Sequence, residues 1–134
     1  MAFEAILTIE DKTFRVFSFH YQSERDYDKF GRPTSLLYGC KMTFEVEHSP
    51  ECILLHLWAY NNYEMKSGKI TFMQRNSFQK QTEVRFSDGY IVNISTQFTS
   101  NGETPMIECF TICANKFEYE SQGNLAIFDN EWPS

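Results

Sequence analysis

The chain has 134 residues, of which 42% are hydrophobic and 22% charged. This length suits one domain with a single core, predicted over residues 1–134, and the 13 Phe and 7 Tyr residues exclude a disordered chain. The formal charge of −6 opposes binding to phosphate backbones, and no run of 18 apolar residues occurs. We therefore expect no nucleic-acid partner and no membrane insertion.

Alternating apolar and polar residues open the chain and predict a β-hairpin. Phe3, Ala5, Leu7 and Ile9 share one face, Asp11-Lys12 offers a turn, and a second arm follows over residues 13–25. Gly, Pro and Asp residues then break the pattern over residues 26–39, which are predicted to form the longest loop. A half-buried strand follows, with one inward set: Met42, Phe44 and Val46.

The segment that begins at Ser49-Pro50-Glu51 is typical of a helix start, with a hydroxyl cap, a proline in the first turn and an acid. Asn61-Asn62 offers a stop, so we predict one helix of about three turns. Its apolar face is predicted from residues at helical spacing: Ile53, Leu54, Leu57 and Trp58.

The rest of the chain predicts four more strands, separated by turns at Asn76-Ser77, Ser87-Asp88-Gly89 and Asn101-Gly102. About seven antiparallel strands and one helix result. The predicted fold is mainly β, a two-sheet antiparallel β-barrel or sandwich with one flanking α-helix.

Candidate metal sites in the sequence are incomplete. Asp26-x-Asp28-x-Phe30-Gly31 begins like a calcium loop but lacks the later oxygen ligands, so a solvated turn is the better interpretation. The three histidines share no ligand spacing and meet only if the fold brings them together, and the four cysteines are predicted to be core thiols: Cys40, Cys52, Cys109 and Cys113. We expect no metal and no cofactor.

Catalytic motifs such as a nucleophile elbow or a phosphate-binding loop are missing from the sequence, so we expect no enzyme and no catalytic residues. Two other classes stay open. A small-ligand-binding β-barrel fits the aromatic content. Strands that are apolar on both faces, such as the segment around Ile91 and that around Ile107, favour contacts between subunits instead.

Several short motifs, in this order, resemble the haemolysin-coregulated protein family of type VI secretion systems, in its divergent short branch. The similarity runs from about residue 3 to 119. It rests on the order and spacing of the following segments: Gly31-Arg32-Pro33 and Gly39, Leu57-Trp58, residues 66–72, Phe86-x-Asp88-Gly89-Tyr90-x-Val92, Phe98 and Pro105-Met106.

The resemblance implies a structural subunit that forms rings of six copies, stacked into a hollow tube that a contractile sheath expels. The implied partners are further copies of the chain, the sheath, spike and baseplate proteins of the machine, and effector proteins. The first residues do not form a secretory signal peptide, so we expect assembly in the cytoplasm followed by export through the secretion apparatus. We predict that ring stacking uses the long loop, through Arg32, Pro33, Leu36, Leu37 and Tyr38. The alternative is that Leu36, Leu37 and Tyr38 fold back onto the barrel of their own subunit.

Overall fold

The computed structural model describes residues 3–74, 80–103 and 105–129, without the side chains of Lys80 and Gln81. Over these residues the chain forms seven strands and one short helix, which confirms the mainly β prediction. The strands are β1 (Phe3–Ile9), β2 (Lys12–Glu24), β3 (Tyr38–Glu47), β4 (Lys66–Gln74), β5 (Lys80–Phe98), β6 (Met106–Ser121) and β7 (Asn124–Asp129). A 3₁₀ turn, Pro50–Cys52, leads into the helix α1, Ile53–Tyr60.

All seven strands belong to one antiparallel sheet in the order β3-β2-β1-β4-β5-β6-β7. Strand β3 also pairs with β6, along residues 41–47 and 107–113. The pairings therefore run in a closed cycle through β1, β2, β3, β6, β5 and β4, and β7 is attached to the far half of β6. No helix within the described ranges is long and apolar enough to cross a membrane.

The core fills the inside of this cycle. Met42, Phe44 and Val46 of β3 are fully buried, as their alternation predicted. The Phe44 ring stacks on Phe110 of β6, with 5.0 Å between centroids, and Phe19 of β2 lies 5.1 Å from Phe44. Close aromatic packing of this kind stabilises the closure of β2, β3 and β6 against one another.

The predicted turn at residues 87–89 is wrong, because β5 continues through it as one 19-residue strand. Asp88 has a left-handed backbone, with φ of 56°, and the pairing of β5 with β4 shifts register at this point. Glycine at position 89 lets the backbone of β5 lie close to Ile112 of β6, since a Cβ at this position would lie 2.9 Å from Cγ2 of Ile112. The turn expected at residues 76–77 lies outside the described residues, and the one at residues 101–102 separates β5 from β6.

The helix begins and ends near the predicted residues but buries a different face. Ser49 is the N-cap of the 3₁₀ turn without a side-chain hydrogen bond, and Asn61 is the C-cap of α1. Leu55 and Trp58 are buried, whereas Ile53 and Leu57 are 60% and 61% exposed. Of the predicted apolar face, Trp58 alone is fully buried, because the helix packs on β5 through its Leu55 and Trp58 side.

The prediction of core thiols is right for two of the four cysteines. Cys40 and Cys52 are buried, and burial raises the pKa of both thiols. Cys109 and Cys113 are half-buried, so the prediction is wrong for them. They alternate along β6 with the inward residues Phe110 and Ile112, which places both thiols on the outer face of the sheet.

Candidate assembly surface

The loop between β2 and β3 projects from the end of these two strands and is held by its own hydrogen bonds. Tyr27 and Pro33 form an isolated antiparallel bridge, and the amide of Thr34 donates to the carbonyl of Asp26 at 2.8 Å. The amide of Asp26 donates to Oγ of Ser35 at 2.8 Å. These bonds fold the loop back on itself as a small hairpin.

Asp28 organises the tip of this hairpin. Its carboxylate accepts hydrogen bonds from the amides of Phe30 and Arg32, at 2.9 and 3.0 Å, and from Nε of Arg32 at 2.9 Å. The bond from the Arg32 amide, ahead of the others, holds the pKa of this carboxyl below its usual range. Gly31 supplies the left-handed backbone of the tip, with φ of 87°.

The carboxylate of Asp28 is thus occupied by the loop itself, which agrees with the solvated turn expected here. No group of three or more His, Cys, Asp or Glu side chains is arranged to hold a metal ion in the part of the chain that the structure describes.

The five residues predicted to stack rings all lie on or beside this loop. Arg32, Pro33, Leu36 and Tyr38 are exposed, Leu36 by 83%, and Leu37 is half-buried. The hydroxyl of Tyr38 donates to Oδ1 of Asp26 at 2.9 Å, and this bond raises the pKa of the phenol. The loop therefore presents Leu36 to its surroundings, while Leu37 faces the protein.

Sequence reasoning missed the aromatic tip of the loop. Phe30 is 73% exposed, Lys29 Nζ lies 5.2 Å from its ring centroid, and the Arg32 guanidinium lies 5.5 Å from it. The available sequence signal is a phenylalanine directly before a turn glycine, but this pattern alone indicates no more than an incomplete calcium loop. Phe30 is thus an exposed aromatic side chain with two cations beside its ring.

Two further apolar surfaces are exposed. On α1, Ile53, Leu57 and Tyr60 form a stripe at helical spacing, and Tyr63 continues it past the helix end. On β7, Leu125 and Ile127 are exposed, and β7 is hydrogen-bonded on one edge, to β6. A helix that is apolar on both sides and an edge strand with exposed aliphatic residues are both typical of surfaces covered by another chain.

A buried polar cluster joins the helix to the sheet, which the histidine spacing did not reveal. Glu108 of β6 is 1% exposed. Its Oε2 lies 2.8 Å from Nε2 of His56 and accepts a hydrogen bond from Thr96 Oγ1 at 2.8 Å, and its Oε1 lies 3.3 Å from Nδ1 of His48. The fold thus brings two of the three histidines together on one carboxylate that links α1, β5 and β6.

Known proteins with a similar sequence or structure share this architecture. Residues 1–133 match the family model of the haemolysin-coregulated protein Hcp (TssD). Among solved structures, Hcp1 from Flavobacterium johnsoniae is 31% identical, with a TM-score of 0.85 over 95% of this chain and 99% of that one. Hcp1 from Salmonella typhimurium shares the fold, with 12% identity and a TM-score of 0.77 over 96% and 95% of the two chains.

A type VI secretion system effector from Yersinia pestis also shares the fold, with 11% identity and a TM-score of 0.70 over 93% of this chain and 98% of that one. No curated protein matches the chain significantly. The family match spans nearly the whole sequence and agrees with the most identical of these structures, so the chain belongs to the haemolysin-coregulated protein (Hcp, TssD) family of type VI secretion tube proteins.

Proposed function

We propose that residues 1–134 form one domain that serves as a structural, non-catalytic subunit of the secretion tube. Six copies form a ring, rings stack into a hollow tube, and a contractile sheath expels the tube with effector proteins in its lumen. The subunit assembles in the cytoplasm and leaves the cell through the apparatus, where it meets sheath, spike and baseplate proteins. Family membership supports the tube role, and the surface of the subunit supports the assembly.

The main observation that supports assembly is that the interior of the sheet is filled, while large apolar side chains are exposed on the outside. Inside the sheet, Leu7, Phe44 and Ile112 are fully buried, and the interior aromatic rings are in contact. Outside, large apolar side chains are exposed on the loop, on α1 and on β7, as shown by Leu36, Leu57 and Ile127. Exposed apolar surface that is spread over several elements favours contacts with other subunits.

The same contrast disfavours the alternative of a small-ligand-binding barrel. Such a protein keeps a cavity of roughly 300–1,000 Å³ enclosed within the barrel. Here the inward residues of β3 and β6 fill that space, and the apolar groove lined by Phe3, Phe19, Phe72, Thr82 and Tyr119 opens to the surface. Because it opens to the surface, this groove suits a contact with a side chain of another copy.

The test is the native mass of the purified protein combined with electron microscopy of the particles. A ring of six copies, alone or stacked, is the expected result. A monomer that co-purifies with an apolar ligand would support the barrel alternative instead, and a monomer that turns over a substrate would support an enzyme.

A further inference from the structure

The β2–β3 pair carries a protrusion at one end and a cleft at the other. Glu24 pairs with Tyr38 at the end that bears the loop, and Val16 pairs with Val46 near the opposite end. A strand rises about 3.3 Å per residue, so the two ends are roughly 25–30 Å apart. Beyond Val16 and Val46 lies a cleft of about 500 Å³, formed by β2, the end of β3 and the segment that leads into β6.

The protrusion is a preformed, cationic aromatic tip, defined by Lys29, Phe30 and Arg32. The Phe30 ring is exposed with both cations close to it, and the Asp28 carboxylate fixes the backbone by accepting hydrogen bonds from the Phe30 and Arg32 amides. A tip that is already ordered loses little conformational freedom when it binds. It carries two cations and one carboxylate.

The cleft has the complementary chemistry. Its apolar lining comes from Phe17, Pro105 and Met106, its carboxylates are Glu47 and Glu103, and the imidazole of His48 also lines it. The Arg15 guanidinium lies 3.6 Å from a Glu47 oxygen and 5.4 Å from the centre of the Phe17 ring, so the cleft carries two carboxylates and one cation.

We propose that the tip Lys29–Arg32 of one copy inserts into the cleft of a second copy, with Phe30 on the apolar lining and Lys29 beside Glu103. This proposal rests on the proposed tube function and names the surface that receives the loop. Because tip and cleft lie at opposite ends of the same strand pair, the contact is head-to-tail and does not close between two copies. Repeated along one axis, it stacks copies with a spacing set by the length of β2 and β3.

The experiment compares stacking of purified rings by electron microscopy and sedimentation velocity. Phe30→Ala and Lys29→Glu should leave ring formation unchanged and raise the protein concentration needed for stacking at least tenfold. The matched control is Lys69→Glu, which reverses an exposed lysine on β4 outside both surfaces and should stack like the wild type. Combining Lys29→Glu with Glu103→Lys should restore stacking, because the charge pair is re-formed with opposite polarity.

The outcomes separate this proposal from the tube function. Rings that stack normally with Phe30→Ala and Lys29→Glu would overturn the tip contact and leave the tube function standing. Loss of stacking in Lys29→Glu without recovery in the charge-swapped double variant would show that the tip binds elsewhere, which overturns the assigned cleft. A wild-type protein that forms no rings would remove the tube function and this proposal together.

Discussion

Replacing Glu108 with alanine tests whether its buried cluster holds the helix on the sheet. The carboxylate is 1% exposed and has polar partners on three segments, through Thr96, His56 and His48. Hydrogen bonds to a charged group contribute about 1.5–3 kcal/mol each. In the alanine variant, water can take over as hydrogen-bond partner of the exposed residues Thr96 and His48, but less well for the half-buried His56. We therefore expect a loss of about 3 kcal/mol in the free energy of unfolding.

Urea unfolding followed by tryptophan fluorescence measures this loss, which corresponds to a fall of roughly 10 °C in Tm for a chain of this size. Glu45→Gln is the matched control, since Glu45 is an exposed glutamate on the neighbouring strand and its replacement should change stability by less than about 0.5 kcal/mol. A cycle with His56→Ala should give a coupling of about 1–2 kcal/mol with Glu108→Ala. A Glu108→Ala protein as stable as the control would refute the reasoning.

Four further predictions concern assembly, the thiols and pH. Leu36→Asp should keep single rings intact but abolish tubes in electron micrographs. Leu37→Asp should also lower the Tm of the isolated ring, because Leu37 is half-buried. Equal Tm values for Leu37→Asp and wild-type rings would contradict this. Rings should survive about 1 M salt in gel filtration, since screening weakens exposed charge pairs and not apolar burial; dissociation to monomers would count against an apolar interface. Chelators and mild reductants should leave the circular dichroism spectrum unchanged, and stoichiometric zinc in the purified protein would contradict the assignment of the cysteines as thiols. Burial, followed by the nearby Cys40, raises the pKa of Tyr21 to about 12, so the contribution of Tyr21 to stability should be constant below about pH 10 and be lost as the pH rises towards 12. Tyr21→Phe should make the fall in stability between about pH 10 and 12 less steep, and an unchanged slope would exclude a contribution from Tyr21.

The strands with one apolar face were predictable from the sequence. In β3, Met42, Phe44 and Val46 alternate with polar residues, and only one register buries them. The helix could be located by its start and stop residues, but its buried face could not be chosen, because Ile53–Tyr60 is apolar on nearly every side. Contact with β5 selects Leu55 and Trp58, and that contact is a property of the whole fold.

Other errors arose where a residue serves long-range packing. Ser87-Asp88-Gly89 has the composition of a turn, yet Gly89 serves the close approach of Ile112 and the strand continues. Glu108 alternates with apolar neighbours and gives no sign that two distant histidines lie beside it. The loop was predicted from its composition, but the exposure of Phe30 depends on the hydrogen bonds that Asp28 makes within the loop.

The small size of the loop tip is consistent with a contact that is repeated around a ring. One exposed cation–aromatic contact contributes only about 0.5–1 kcal/mol, and a single exposed charge pair contributes a similar amount. In the proposed ring of six, six tips would reach six clefts at once, and after the first has bound the others would bind at a high effective concentration. On this proposal, weak single contacts together hold two rings, while a lone copy binds another too weakly to stack before its ring has formed. The proposed order of assembly, ring first and stack second, follows from the small size of the tip, because one tip alone contributes too little binding energy to hold two single copies together.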